Sequence, residues 1–173
     1  PYKSIELFAG AGGLAIGLEQ AGFEHVLLNE IDATACATLR KNRPNWNVYE
    51  GDIRHLSLKA YRGKIDLITG GFPCQAFSYA GKQGGFEDTR GTLFFEMARL
   101  VQEVQPKIFM GENVKGLRSH DKGRTLQIIE NTIRELGYTL VSPRVLHALR
   151  YKVPQKRERL ILIAIRNDLV HHA

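Results

Sequence analysis

Short apolar runs alternating with helix-length amphipathic segments constrain this chain more than any other feature. Residues 3–8 are apolar and β-branched enough for a strand, and a glycine-rich turn follows. An Ala/Leu/Ile-rich helix is predicted from about Gly13 to Ala21. Residues 25–29 predict strand two, and Asp32 is placed to cap a helix ending near residues 42–44. Residues 46–49 and 65–69 predict strands three and four. A long glycine-rich loop then spans residues 70–91, before a helix over residues 92–105 that Pro106 stops. Residues 107–110 predict strand five, and residues 124–136 a helix ending at Gly137. Residues 138–149 and 159–166 predict two last strands joined without a crossover helix. Such alternation implies a doubly wound, Rossmann-like α/β class: a mostly parallel sheet with helices on both faces. The final strand pair should be antiparallel. Ligands of such sheets bind beyond the carboxyl ends of the strands, which directs attention to the residues there.

Composition narrows the class. With 173 residues, 43% hydrophobic and 24% charged, the chain has the make-up of one ordinary globular domain, not of a disordered or fibrous one. Its longest apolar run, residues 160–165, is strand-sized and far short of the roughly 18 residues of a membrane span. The start at Pro1 shows no secretory-signal pattern and no initiator Met, so a processed or excised chain is expected. Two cysteines, Cys36 and Cys74, make no disulfide scaffold and point to a reducing cytoplasm. Six histidines without ligand spacing predict no metal. The formal charge is +6, and seven basic residues against two acidic ones lie beyond position 140. That bias suits either a polyanion-binding face or a strand edge protected by charge.

The motifs fall where the topology requires. After strand one comes Phe8-Ala9-Gly10-Ala11-Gly12-Gly13, in which Gly10, Gly12 and Ala15 satisfy the G-x-G-x-x-A fingerprint. Glycines there let a ligand approach backbone N–H groups at a helix start. Glu30 at the end of strand two suits ribose hydroxyls, and Asp52 after strand three an adenine amine. Together these describe an adenosine-containing cofactor and leave a nicotinamide dinucleotide and S-adenosylmethionine both open. After strand four, Gly70-Gly71-Phe72-Pro73-Cys74-Gln75 puts a cysteine behind a proline at the ligand edge. This placement favours a nucleophile over a buried hydrophobe, whereas Cys36 within a helix is structural. Glu112-Asn113-Val114 follows strand five, where the carboxylate could bond a heterocycle or cap a turn. Gln155, Arg157 and Arg159, at alternate positions, should share one strand face.

In this order, Phe-Ala-Gly-x-Gly-Gly, Pro-Cys-Gln, Glu-Asn-Val and Gln-x-Arg-x-Arg resemble the successive motifs of DNA (cytosine-5)-methyltransferases. The segments Gly-Phe-Pro-Cys-Gln-Ala-Phe-Ser, Gly-Lys-Gln, Gly-Phe-Glu-Asp and Arg-Gly-Thr-Leu-Phe-Phe are similar to bacterial restriction-modification enzymes. The resemblance implies methyl transfer from S-adenosylmethionine, with S-adenosylhomocysteine as product, to carbon 5 of a cytosine in duplex DNA. It casts Cys74 as the nucleophile toward carbon 6 and Glu112 as the group that holds or protonates ring nitrogen 3. Arg159 would donate to the ring carbonyl, Arg157 support the pocket or a phosphate, Pro73 stiffen the turn and Asn113 order the Glu112 turn. For the cofactor it implies Phe8 on the adenine, Glu30 on the ribose and Asp52 on the amine. The glycine-rich turn of Gly10, Gly12, Gly13 and Leu14 would take its carboxylate, with Ile31, Ile53, Gly71 and Pro73 alongside. The base must be flipped out, which makes residues 75–91 a lid with Gly81, Gly84 and Gly85 as hinges. Gln75, Ser78, Lys82, Gln83 and Arg90 would reach phosphates or the vacated stack. A bacterial cytoplasmic protein, nucleoid-associated when on DNA, is the implied setting.

Family members normally continue past the Gln-x-Arg-x-Arg strand into a target-recognition region and a return segment. Residues 1–173 are therefore expected to be the cofactor-binding and nucleophile domain without those parts, leaving apolar sheet surface uncovered. A complementing C-terminal fragment or subunit is expected, with DNA binding by the isolated chain weak, without sequence preference, and its activity low. The alternatives are a tRNA cytosine methyltransferase, a non-catalytic cofactor- or partner-binding subunit, and a nicotinamide oxidoreductase.

Overall fold

The computed structural model describes residues 1–73 and 93–172. Five parallel strands lie in the spatial order β3-β2-β1-β4-β5: β1 (Tyr2–Leu7), β2 (Phe23–Glu30), β3 (Val48–Glu50), β4 (Leu67–Gly70) and β5 (Ile108–Val114). The chain winds outward from β1 to β3 and returns to the other side of β1 with β4, so the switch point lies between β1 and β4. β8 (Glu158–Arg166) pairs antiparallel with β5. Its other edge is shared end to end by β6 (Tyr138–Leu140) and β7 (Arg144–His147).

Each helix forms where its sequence supplies both a boundary and an apolar face. α1 (Gly13–Gln20) starts after Gly12, whose φ of 100° and missing Cβ are both required: a Cβ there would fall 2.7 Å from Leu39 Cδ2. α2 (Ala33–Asn42) is capped by Asp32, whose Oδ1 accepts from Ala35 N at 2.7 Å. α3 (Leu93–Val104) buries Phe94, Met97, Leu100, Val101 and Val104, one continuous stripe at helical spacing. α4 (Arg124–Glu135) buries Thr125, Ile129 and Ile133 at every fourth position, and Gly137 follows at φ 90°.

The register sorts side chains between the two faces. Ile5, Ile68, Phe109 and Ala164 stand opposite one another across β1, β4, β5 and β8, and all join the core that includes Phe94, Met97 and Ile129. The adjacent row, Glu6, Thr69, Met110 and Ile163, points to the other face. There a smaller core of Ala9, Ala15, Leu28 and Leu39 packs under α1 and α2. On that row Glu6 and Thr69 are buried whereas Ile163 is 36% exposed, and Ile108 on the same face is also exposed.

Several boundaries differ from the sequence expectation. β5 runs through Val114, so Glu112 and Asn113 lie within the strand, not after it, because β8 supplies partners as far as Val114–Arg159. The single strand expected over residues 138–149 is broken into β6 and β7 at Ser142-Pro143, where proline has no N–H to give the ladder. β8 begins at Glu158, which leaves Gln155 and Arg157 outside the strand and removes the shared face expected for them with Arg159. Trp46 likewise precedes β3 and packs edge-on against His25.

Candidate active site

Two groups of residues meet at the carboxyl edge of the sheet. The first surrounds the end of β1. The backbone there passes through left-handed conformations at Phe8 (φ 54°) and Gly10 (φ 57°), which turns the chain sharply into α1. Glu30 locks the turn: its Oε1 accepts from Gly10 N at 2.9 Å and its Oε2 from Asp32 N at 2.8 Å. Asn29, buried beside it, donates to the carbonyls of Tyr49 and Gly51 at 3.1 and 3.0 Å. The loops after β1, β2 and β3 are thereby fixed to one another, and a cleft opens between them. It is lined by Phe8, Glu30, Ile31, Asp52 and Ile53 of the expected cofactor residues, together with Asn29, Gly51, Arg54 and Leu93.

The chemistry of this lining fits an adenosine. Ile31, 64% exposed, and Phe8 offer apolar surface for a flat ring, and the Glu30 carboxylate has acceptor capacity beyond its two N–H partners. Asp52 is already engaged: Arg54 donates to it from Nε and Nη2, and its carboxyl is pulled down to about 2 by those bonds. Arg54, a residue the sequence reading did not single out, thus occupies part of the acceptor capacity that Asp52 was expected to offer an amine. Gly12, Gly13 and Leu14 open α1 beside the cleft.

The second group joins β4, β5 and β8. Glu112 and Arg159 are diagonal neighbours two register positions apart on a common face, since Glu112 pairs with Ile161 and Val114 with Arg159. Arg159 Nε approaches Glu112 Oε1 at 3.0 Å, with the side chains 29% and 25% exposed, and Arg159 Nη1 donates to the Glu158 carbonyl at 2.8 Å. Asn113, on the opposite face and buried, donates from Nδ2 to the Phe72 carbonyl at 2.9 Å. Its Oδ1 also accepts from Val114 N at 2.7 Å, so one side chain ties residues 71–73 to the end of β5 and orders the chain after Glu112. Gly71 completes the fit, because Glu112 Oε2 occupies the space a side chain there would need. Pro73 continues from the clamped Phe72, half-buried.

Arg157 is exposed and contributes its carbonyl to Ala148 N, away from the Glu112–Arg159 pair. Cys74, Gln75, Ser78, Lys82, Gln83, Arg90 and the glycines of the expected lid lie outside the described residues. Sequence reasoning also missed Glu158, which binds Lys115 at 2.9 Å and His147 at 3.0 Å and whose carboxyl is lowered chiefly by Lys115. Among the described residues no group of His, Cys, Asp or Glu is arranged to hold a metal ion, and no helix is long and apolar enough to cross a membrane.

Known proteins are similar to this chain in sequence and in fold. The chain is 66% identical over 168 residues to the type II methyltransferase M.Eco47II of Escherichia coli, and 49% identical over 170 residues to M.HhaI of Haemophilus parahaemolyticus. These alignments cover 97% and 96% of this chain but 40% and 50% of those relatives, so the chain spans about half their length or less. Among solved structures, a protein described as a DNA modification methyltransferase encoded within an E. coli prophage superposes with a TM-score of 0.81 at 30% identity. That match covers 98% of this chain and 48% of the other. DNMT2 of Spodoptera frugiperda gives a TM-score of 0.78 at 24% identity over 98% of this chain and 51% of its own, a likeness of fold. The family model for C-5 cytosine-specific DNA methylases matches residues 2–172, nearly the whole sequence. The chain belongs to that family.

Proposed function

We propose that this chain is the cofactor-binding and nucleophile-bearing part of a DNA (cytosine-5)-methyltransferase of a restriction-modification system. It would act on carbon 5 of a cytosine flipped out of duplex DNA. The observation that carries the reading is the Glu112–Arg159 pair beside the clamped residues 71–73, one step before Cys74, at the same sheet edge as the Phe8–Glu30–Asp52 cleft. S-adenosylmethionine, when bound, supplies the electrophilic methyl group. Phe8, Ile31 and Ile53 would hold its adenine, Glu30 its ribose, Asp52 its amine, and the turn of Gly10, Gly12, Gly13 and Leu14 its carboxylate, with Gly71 and Pro73 alongside.

Carbon 5 of cytosine is a weak nucleophile. The Cys74 thiolate adds to carbon 6, forming a carbon–sulfur bond and pushing electron density toward carbon 5 and the ring nitrogen at position 3. Glu112 meets that nitrogen and stabilises the developing charge. Arg159 is held at Nε by Glu112 and at Nη1 by the Glu158 carbonyl, and its Nη2 would donate to the ring carbonyl. Once carbon 5 is methylated, loss of its proton and expulsion of the thiolate restore the aromatic ring and free the enzyme. Arg157, exposed at the start of β8, suits a DNA phosphate better than the base pocket. Gln75, Ser78, Lys82, Gln83 and Arg90, which follow Cys74 in the sequence, are proposed to contact the DNA.

Residues 1–173 form one domain in this reading, and target recognition comes from a complementing C-terminal region, on the same or a separate polypeptide. The sheet face bearing Ile108, Met110, Ile161, Ile163 and Ile165 supports this, because α1 and α2 pack chiefly on β2 and β3 while Ile108 and Ile163 stand exposed. Labelled S-adenosylmethionine offered with duplex DNA, or with tRNA in its place, tests the reading. The full-length natural protein should methylate DNA cytosine at carbon 5. Label transferred to tRNA alone, or to neither acceptor, would contradict it.

A further inference from the structure

Between the cofactor cleft and α3 lies a network that no catalytic step uses. Arg99, two turns into α3, donates from Nε to Glu96 at 2.8 Å, from Nη1 to Glu103 at 3.0 Å, and from Nη2 to the carbonyl of Ile53 at 3.0 Å. Ile53 lines the cleft, and its carbonyl also accepts from Leu56 N at 3.1 Å, closing the 3₁₀ turn Ile53–His55. Glu103 is shared in the same way: its second oxygen accepts from Leu58 N at 2.7 Å. Arg62 ties the same region to the end of α3 through the carbonyls of Gln102 and Glu103. The segment that carries Asp52 and Ile53 is thus bound to α3 at three points, and the first residue of α3, Leu93, is itself a wall of the cleft.

We infer that Arg99 is a positioning residue that sets the distance between the Asp52–Ile53 side of the cleft and the Leu93 side. This inference rests on the adenosine-binding reading of that cleft. The fork of the guanidinium is what makes the arrangement work. Two carboxylates on its own helix fix the group in place, leaving the third direction to reach across to a backbone carbonyl. A lysine has no such fork and cannot hold all three partners in one plane. The same strut ties α3 to the cofactor side of the site. Arg99 touches neither the base nor the methyl donor, so its loss should appear in cofactor affinity and not in the chemical step.

The test uses the full-length natural protein with Arg99→Met, Arg99→Lys and Glu103→Gln. Binding of S-adenosylhomocysteine is read by calorimetry, and KM for S-adenosylmethionine, KM for DNA and kcat by methyl transfer. Arg99→Met should weaken S-adenosylhomocysteine binding and raise the cofactor KM by about tenfold, with kcat and the DNA KM within about twofold. Arg99→Lys should recover only part of the loss. If Arg99→Met fails to fold, Glu103→Gln, which frees Nη1 yet keeps an acceptor for Leu58 N, should still weaken cofactor binding by about threefold. Unchanged cofactor binding in the folded variants, or an equal fall in every parameter, overturns the inference. Failure of the unmodified protein to bind S-adenosylhomocysteine overturns the cofactor reading beneath it instead.

Discussion

Oε2 of Glu112 stands 2.6 Å from where a β-carbon on residue 71 would lie, so Gly71 is the absence that lets the carboxylate reach the end of β4. The obstructed atom is the tip of a side chain that Arg159 holds from the other side, so an added methyl displaces the carboxylate and leaves the backbone in place. Gly71→Ala should therefore lower methyl transfer by about 10- to 100-fold, as misplacing a reacting group does, while thermal unfolding moves by no more than about 2 °C. A variant with full activity would show that Glu112 is not needed where it stands.

Asn113 is a structural counterpart on the opposite face. Asn113→Ala removes both the Nδ2 donor to the Phe72 carbonyl and the Oδ1 acceptor for Val114 N, at a cost of about 1–3 kcal/mol, and loosens the hold on residues 71–73. Denaturant unfolding should record the lost stability, and kcat should fall with it. Loss of stability with kcat unchanged would limit Asn113 to the fold.

Glu30 bridges two loops through both oxygens, to Gly10 N and Asp32 N. Glu30→Gln offers an amide where one of these N–H groups needs an acceptor. S-adenosylhomocysteine binding should weaken at least about tenfold, with stability lower by about 1 kcal/mol. Calorimetry and a melting curve measure the two effects separately.

Glu6 gives a pH dependence with a definite sign. It is 1% exposed, its Oε2 has no hydrogen-bond partner, and it stands opposite Thr69, whose hydroxyl also lacks one. Burial pushes its carboxyl up from an ordinary 4.5 to about 8. Through that interval the unfolded chain has released the proton while the folded chain keeps it. This group's contribution to stability therefore falls as pH rises from about 4.5 to about 8, and levels off above. The melting temperature of Glu6→Gln relative to the unmodified protein should climb across that window. Parallel curves would show that Glu6 ionises normally.

The parallel sheet and its helices were legible in the sequence, because glycine turns and apolar periodicity are local signals. Of the residues that line the cleft, Glu30 and Asp52 were named from their places after strands two and three, while Phe8, Ile31 and Ile53 came from the family resemblance alone. What escaped depends on partners distant in sequence. That β5 continues through Glu112 and Asn113 follows from β8, more than forty residues on, and nothing in Glu-Asn-Val itself announces a strand. The Arg54 grip on Asp52 and the Arg99 strut are side-chain forks, which apolar periodicity does not report. Arg157 and Arg159 look equivalent in the motif, yet only Arg159 has entered the ladder and reached Glu112.

The most direct measurement is a covalent trap. Incubated with S-adenosylmethionine and a duplex carrying 5-fluorocytosine at a target cytosine, the full-length natural protein should form an adduct that survives denaturing electrophoresis. The carbon–fluorine bond blocks the final elimination, so the thioether persists. Cys74→Ser should abolish the band and Glu112→Gln should slow its appearance. An adduct that still forms without the thiol, or none at all from a protein that binds both DNA and S-adenosylhomocysteine, would contradict the assignment of Cys74 and Glu112 to one reaction.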